Sequence, residues 1–260
     1  MKIRLCLALL FCAAPVFAQG PAAPSGANYK EASMEARFQI DLKAPDDVIK
    51  SYLPAGFTSM VATQGPAKDC NVRLIFIDRI TVNGPDGKPV GSGNSRVVYL
   101  VAPVKDASGT SAQLVLGGLT DEAADAPGPF GNYLTATTHE MKRTTSTDAG
   151  GHVIDTQDWV FKAASGEHLE MHIRYERGAG NRSGRTQDVK FYSAKTPYAE
   201  VSHQEQVLEI LRNTTTNPPD KVKSFSLKIG GGSFAKFATS AEKPLSWDNI
   251  VWLNRQITTP

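Results

Sequence analysis

One short stretch of the chain decides the fold class: Glu35-Ala36-Arg37-Phe38-Gln39-Ile40-Asp41-Leu42. Apolar side chains occupy every second position, and charged or amide side chains occupy the positions between them. Successive side chains of a β-strand point to opposite faces of a sheet, so this period of two predicts a half-buried strand. The same alternation, or a dense run of β-branched residues, returns along the rest of the chain.

Further strands are predicted between short turns that are rich in Gly, Pro, Asn and Asp. They cover residues 71–82, 96–104, 113–119, 133–138, 153–163, 168–177, 188–194 and 222–229. Two short helices are also predicted, at residues 45–53 and at residues 202–212, where Ser202 and Glu205 fit a capping box. Because strands dominate and few β–α–β units are visible, the sequence predicts a mainly β fold: an antiparallel closed cone or barrel-like sheet, or alternatively a β-sandwich.

The N-terminus has the three parts of a secretory signal peptide. Lys2 and Arg4 precede an apolar run, Leu5–Val16, and a small residue, Ala18, ends the segment. This run is shorter than the roughly 20 residues of a transmembrane helix. We therefore expect a chain exported to the periplasm or secreted, with a cleaved signal peptide at residues 1–18, a flexible leader at 19–33 and a single β-rich domain at 34–260.

Composition and motif content limit the classes of partner. The formal net charge is +2 and the charges are mixed along the chain, which argues against a nucleic-acid partner. Cys70 is the only cysteine left after signal cleavage, so no internal disulfide is expected. His168 and His172 share a strand face but lack a third ligand at a recognisable spacing. We therefore expect no metal, no cofactor and no transmembrane segment in the mature chain.

Three segments follow one another in a distinctive order. Tyr52-Leu53-Pro54-Ala55-Gly56-Phe57 ends the first predicted helix, and Gly128-Pro129-Phe130-Gly131-Asn132-Tyr133 opens a strand. An aromatic-led strand and a hairpin then lie between Trp159 and Gly178. This order resembles the acetoacetate-decarboxylase-like superfamily, whose members have a Leu-Pro-x-Gly-like stop after a helix and a Gly-Pro-Tyr/Phe motif at a central strand. The resemblance covers residues 38–177.

The resemblance implies a closed, cone-like antiparallel sheet around an apolar central cavity. In active family members a lysine inside that cavity forms a Schiff base with a β-keto acid, and a neighbouring lysine lowers its pKa. The family's Arg-Glu and Pro-Lys-Lys segments are not found between Thr144 and Gly178, where Trp159-Val160-Phe161-Lys162 is the nearest stretch. Leu134-Thr135-Ala136 stands where the family has a glutamate.

Three hypotheses about function follow from these features. The first is an exported binding protein whose apolar cavity holds a small apolar or keto-bearing molecule. Its candidate lining residues are aromatic: Phe76, Tyr99, Phe130, Tyr133, Trp159 and Phe161. The second is a carbon–carbon lyase of the Schiff-base type acting on a small keto acid, with Lys162 as nucleophile, Lys142 as its alternative and Glu140 in the same catalytic set. The third is a structural or surface-interaction module, which an exposed apolar patch would mark.

Overall fold

A computed structural model describes residues 29–65, 67–122, 130–182, 187–213, 221–242 and 244–260. Its strands are β1 (Tyr29–Leu42), β2 (Thr58–Ser59), β3 (Val72–Asn83), β4 (Ser95–Lys105), β5 (Ser111–Thr120), β6 (Tyr133–Thr147), β7 (Val153–Ala163), β8 (His168–Glu176), β9 (Asn181–Arg182), β10 (Gln187–Ser193), β11 (Ala199–Asn213), β12 (Val222–Gly230) and β13 (Ser246–Thr258). The described helical segments are α1 (Asp46–Lys50) and a 3-10 helix (Gly232–Glu242). The predicted mainly β fold class is confirmed. In the described ranges no helix has both the length and the apolar character needed to cross a membrane.

The N-terminal end of the sheet differs from the prediction. The predicted signal peptide, residues 1–18, lies outside the described residues, and so does Gly128-Pro129 of the strand-opening motif. Strand β1 begins at Tyr29, so the end of the predicted leader, residues 19–33, is already paired in the sheet. Its partner is β13, which comes from the other end of the chain and therefore leaves no local signal in the leader.

The second predicted helix, at residues 202–212, is wrong. This segment belongs to β11, which pairs with β10 on one side and with β13 on the other. Two ladders of tertiary hydrogen bonds outweigh the local capping signal of Ser202 and Glu205. A 3-10 helix is found instead at Gly232–Glu242, just after strand β12. Gly231 has a φ of 73°, and a β-carbon there would lie 1.8 Å from the Gly166 carbonyl oxygen.

Seven strands close into a ring in the order β5-β10-β11-β13-β1-β3-β4, and β4 pairs with β5 to complete it. The predicted closed sheet is therefore confirmed, but it is mixed. Strand β5 runs parallel to β10 within the ring and parallel to β6 at its edge. From β6 the sheet continues through β7 and β8 to β12, and we call these four strands the arm. The arm places a second layer of sheet beside the ring.

The decisive stretch of β1 has two buried faces, whereas the sequence predicted one. Phe38, on its apolar face, packs against Tyr175 of the arm with ring centroids 5.9 Å apart. Glu35 and Asp41, on its polar face, are only 0% and 1% exposed. The polar face is turned into the ring, so it meets other polar side chains instead of bulk water. Ring closure therefore creates a second, polar interior next to the apolar core between ring and arm.

Gly118 on β5 leaves room for Tyr133 at the point where the arm leaves the ring. A β-carbon at Gly118 would lie 2.6 Å from Tyr133 Cε1 and 2.7 Å from the Val98 carbonyl oxygen. Because that oxygen belongs to the backbone of β4, we expect Gly118→Ala to lower the free energy of unfolding by about 1–3 kcal/mol, measured by urea denaturation. Gly84→Ala is the control, since its nearest atom would lie at 3.5 Å. An equal loss in both variants would contradict the packing argument.

Candidate functional site

Every strand of the ring contributes to a cavity of about 410 Å³ in its interior. Its polar lining residues are Arg37, Gln39, Asp41, Arg73, Gln113, Gln204, Gln206 and Asp248. Aliphatic and aromatic side chains, among them Ile75, Tyr99 and Phe191, form the remainder of the wall. The wall is therefore mixed, and it differs from the apolar cavity that the family resemblance implies.

Two aspartates lie side by side on the cavity wall. Gln39 Nε2 donates to Asp41 Oδ1 and to Asp248 Oδ2, each at 3.3 Å. Strand register produces this arrangement, because Gln39 on β1 lies directly opposite Asp248 on β13, and Asp41 follows two residues later on the same face. Asp41 also accepts hydrogen bonds from Arg73 Nε at 3.1 Å and from Ser246 Oγ. The negative charge of Asp41 is therefore balanced by the positive charge of Arg73.

The carboxyl group of Asp248 has fewer hydrogen-bond and charge partners than that of Asp41. Its side chain is buried, and its Oδ1 atom has no hydrogen-bond partner among the described residues. Burial and the nearby charge of Asp41 together raise the pKa of Asp248 to about 7, against the opposing effect of Arg73. A carboxyl group with a pKa near neutrality can both donate and accept a proton at working pH, which is the property of a general acid or base.

Glu35 forms the centre of a second charged layer in the ring, next to the cavity. It accepts hydrogen bonds from Arg37 Nε at 2.6 Å and from Ser33 Oγ at 2.7 Å, and it forms ion pairs with Arg255 at 2.7 Å and with Arg79 at 3.8 Å. Although burial favours the neutral acid, these three guanidinium groups hold the pKa of Glu35 down at about 2. Glu35 therefore stays ionised and holds Arg37 where its guanidinium group reaches the cavity.

A third titratable group in this interior is Glu200 on β11. Burial raises its pKa to about 7, although the positive charge of Arg255 and a hydrogen bond from Tyr198 both favour ionisation. Tyr198 Oη donates to Glu200 Oε2 at 2.9 Å. The hydroxyl group of Tyr133 is buried nearby without a hydrogen-bond partner in the described part of the chain. The ring interior thus contains two carboxyl groups that titrate close to neutral pH.

These raised pKa values predict that the fold loses stability as the pH rises. Asp248 and Glu200 have ordinary values of 3.8 and 4.5 when unfolded, and both are raised to about 7 in the fold. At pH values between the unfolded and the folded pKa, the folded state binds more protons than the unfolded state. The stability of the fold therefore falls as the pH rises through this range. We expect a loss of about 3–5 kcal/mol from pH 5 to pH 8, measured by urea denaturation at constant ionic strength. Asp248→Asn should remove about half of this dependence, because Glu200 still titrates. A wild-type chain that is more stable at pH 8 would contradict the prediction.

Cys70 lies at the edge of the aspartate pair and is buried. Its Sγ lies 3.6 Å from Asp41 Oδ1 and 3.3 Å from the Val72 carbonyl oxygen. Burial and the charge of Asp41 raise the pKa of the thiol to about 12, so it stays protonated and unreactive near neutral pH.

The aromatic residues predicted to line a cavity are mostly core residues. Tyr99 does line the cavity in the ring. Phe130 belongs to an apolar cluster in the ring interior. Tyr133 packs against that cluster and also lines a second cavity, of about 340 Å³, with Tyr52 and Phe234. The other three aromatic residues, Phe76, Trp159 and Phe161, pack in the core between ring and arm. The residues of the site could have been found in the stretch 35–42, where Arg37, Gln39 and Asp41 occupy the polar face of β1. A half-buried strand predicts that this face points to solvent, whereas it points into the cavity.

The predicted catalytic residues lie on the arm, away from the ring cavity. Lys162 on β7 is half exposed, with its Nζ 2.9 Å from Glu170 Oε1. Lys142 and Glu140 are exposed on β6. In the described part of the chain no lysine is buried, and none lines the cavity. The structure therefore does not bring Lys162, Lys142 and Glu140 together with Tyr99 or with the buried aspartates.

The exposed face of the arm also carries a His–Asp–Ser alignment. His172 Nδ1 lies 2.6 Å from Asp158 Oδ1, and His172 Nε2 lies 3.4 Å from Ser224 Oγ. The side chains of His172 and Asp158 are 43% and 45% exposed, so they lack the water-excluded surroundings in which such groups are effective. No group of three metal-ligating side chains occurs among the described residues, which leaves His168 and His172 without a metal site.

Comparisons with known proteins identify the architecture. No family model matches the sequence, and no curated protein matches it either. Solved structures do match: acetoacetate decarboxylase from Legionella pneumophila has a TM-score of 0.55 at 13% identity, covering 94% of this chain and 91% of that chain. An acetoacetate decarboxylase-like enzyme from Sphingomonas wittichii RW1 has a TM-score of 0.54 at 11% identity, covering 89% and 91%.

A third solved structure extends the same likeness. The enduracididine biosynthesis enzyme MppR, complexed with the condensation product of pyruvate and imidazole 4-carboxaldehyde, has a TM-score of 0.51 at 11% identity and covers 88% of this chain and 87% of that chain. These matches extend over most of each chain, and the closed ring of strands agrees with them. This chain therefore has the fold of the acetoacetate-decarboxylase-like superfamily.

Proposed function

We propose that this chain is an enzyme that transfers protons on a small carboxylate-bearing molecule of the keto-acid class, bound inside the ring. The observation that carries the proposal is Asp248, a buried cavity-lining carboxyl group with a pKa near 7 and a neighbouring arginine. The similar structures are named as enzymes, one of them complexed with a condensation product of pyruvate, which supports keto acids as the first class to test. Export through the predicted signal peptide, residues 1–18, remains part of the proposal.

Arg73 is the residue best placed to bind the substrate carboxylate. Arg73 lines the cavity and its side chain is 29% exposed. Its Nε–H donates a hydrogen bond to Asp41. The terminal nitrogens of a guanidinium group carry four further N–H donors in a planar fork that suits a carboxylate. Binding there would place the rest of a small keto acid beside Asp248.

Asp248 then has a defined task as general base. In its ionised form it takes a proton from the carbon next to the substrate carbonyl, and the C–H electron pair moves to form the enolate. The enolate oxygen would accept hydrogen bonds from the cavity amides of Gln113 and Gln204, and the protonated Asp248 returns a proton to carbon. This cycle needs no lysine and no bound cofactor, and it balances in protons and electrons.

A Schiff-base mechanism at Lys162 or Lys142 has little support from the structure. Such a lysine must be neutral, which requires burial or a nearby positive charge. Lys162 and Lys142 are exposed, and Lys162 forms an ion pair with Glu170, so neither lysine is buried. We therefore expect borohydride reduction in the presence of acetoacetate to leave Lys162 and Lys142 unmodified, as measured by peptide mass spectrometry. A reduced adduct on either lysine would overturn this part of the proposal.

The direct test of the proposed function is hydrogen exchange into keto acids in heavy water. Acetoacetate, pyruvate and 2-oxoglutarate are incubated with the chain, and proton NMR follows loss of the C–H signal next to the carbonyl and any decarboxylation. We expect exchange faster than in a buffer blank for at least one acid. Rates equal to the blank for the whole panel would refute the enzyme proposal.

A small-molecule-binding protein is the second candidate, and one observation favours it. The ring has a cavity of about 410 Å³, which falls in the usual range for ligand sites, about 300–1,000 Å³, while no described lysine lines it. A fold that keeps the cavity without the family's lysine chemistry is compatible with binding alone. Calorimetric binding of a keto acid without exchange in the assay above would favour this candidate.

A further inference from the structure

The cavity wall carries several hydrogen-bond acceptors that no protein group satisfies. Gln113 Oε1, Gln204 Oε1 and Asp248 Oδ1 are each buried without a hydrogen-bond partner in the described part of the chain. Their residues come from β5, β11 and β13, and all three line the same cavity. Asp248 is only 7% exposed. An unsatisfied buried acceptor costs about 1–3 kcal/mol, so three of them around one cavity point to a ligand that supplies donors.

A simple keto acid cannot supply those donors. Its carboxylate and its carbonyl group only accept hydrogen bonds, so they match Arg73 but leave the amide oxygens unsatisfied. A hydroxyl group donates one hydrogen bond and accepts others, and a glutamine amide offers both an acceptor and two donors. Hydroxyl groups on several carbons would therefore satisfy Gln113, Gln204 and Asp248 together.

The rest of the wall agrees with such a ligand. Phe191 on β10 and Leu208 on β11 line the cavity together with the amides. The wall therefore offers apolar surface for C–H groups next to polar groups for hydroxyls. This combination suits a chain in which each carbon carries both.

We infer that the ring cavity recognises a polyhydroxylated carboxylate, a compound of the sugar-acid class, with its carboxylate at Arg73 and its hydroxyl groups at Gln113, Gln204 and Asp248. This inference rests on the proposed function, because it takes the carboxylate site at Arg73 from it. It adds the substrate class: a keto acid that is also hydroxylated along its carbon chain.

The test is isothermal titration calorimetry with three matched probes. Gluconate has the carboxylate and the hydroxyl groups, hexanoate has the same number of carbons and the carboxylate without hydroxyls, and glucose has hydroxyls without the carboxylate. We expect gluconate to bind at least about tenfold more tightly than either of the others, since each lost buried hydrogen bond costs about 1–3 kcal/mol. Gln204→Met should remove most of the preference for gluconate over hexanoate. Gln256→Met, on β13 outside the cavity lining, is the control and should keep it.

The outcomes separate this inference from the proposed function. Hexanoate binding as tightly as gluconate would overturn the hydroxyl inference and leave the carboxylate site standing. Glucose binding as tightly as gluconate would overturn the carboxylate site and, with it, the proposed function. Failure of all three probes to bind would overturn the inference. Tighter binding of an amino acid such as glutamate would also overturn it, because the donors would then be an ammonium group.

Discussion

Glu35→Gln is expected to lower the free energy of unfolding by about 3–5 kcal/mol, the usual cost of breaking a buried ion pair from one side. Glutamine keeps the shape of the side chain but removes the charge that faces three guanidinium groups. Arg37, Arg79 and Arg255 are 6%, 0% and 3% exposed, so they cannot turn to water without unfolding part of the ring. Glu31, which contacts Arg79 and Arg255, would be left to compensate them.

Urea denaturation near pH 7 measures this loss, and its pH dependence tests the cause. The pKa of Glu35 is lowered to about 2 from an ordinary value of 4.5, so its stabilisation is present above pH 4.5 and is lost as the pH falls toward 2. The difference between the wild-type chain and the variant should therefore shrink on acidification. Glu140→Gln, on the exposed face of β6, is the control and should change stability by less than about 0.5 kcal/mol. A loss below about 1 kcal/mol for Glu35→Gln would count against the charged cluster.

Asp248→Asn is expected to slow proton exchange on the best keto-acid substrate by about 10²–10⁴-fold, the usual contribution of a general base. Asparagine has nearly the same shape, and its amide cannot accept the proton. We expect most of this decrease to appear in kcat. KM should change less, because Arg73 still binds the substrate carboxylate. The wild-type rate should also show an ionisation near pH 7, since the pKa of Asp248 is raised to about 7.

The pH profile separates a catalytic role from a structural one. Asp248→Asn should lack the ionisation near pH 7, and at pH 8 it should be at least as stable as the wild-type chain, because it removes a carboxylate that is costly to bury. Asp158→Asn, on the exposed face of the arm, is the matched control and should leave the rate unchanged. A rate for Asp248→Asn within about threefold of the wild type would exclude Asp248 as the base.

Several elements of the fold could be predicted from local pattern alone. Strands β7 and β8 were predicted at 153–163 and 168–177, within a residue of their observed bounds, and the apolar residues of β8 alternate strictly. The segment at 202–212 was misjudged, because Ser202 and Glu205 carry a helix-start signal while the stabilising ladders come from β10 and β13. Strand β10 is the neighbouring strand of a hairpin, but β13, at Ser246–Thr258, is distant in sequence, so no local window contains the second ladder.

The site was harder to predict than the fold. Large aromatic residues on strands are the usual choice for lining an apolar cavity, and three of the six chosen, Phe76, Trp159 and Phe161, pack in the core between ring and arm. The cavity residues are instead the polar members of alternating strands, such as Gln39 on β1 and Gln204 on β11. In a sequence, a polar residue that faces water and one that faces a polar cavity look the same.

The sequence by itself determined that β1 has one apolar and one polar face, because successive side chains of a strand point in opposite directions. Only the tertiary structure decided where the polar face points. The long-range pairings of β1 with β13 and of β5 with β10 close the ring and turn Glu35, Arg37 and Asp41 inward. Ring closure depends on contacts between strands that are far apart in the chain, and the removal of water from a polar face is a property of that closure alone.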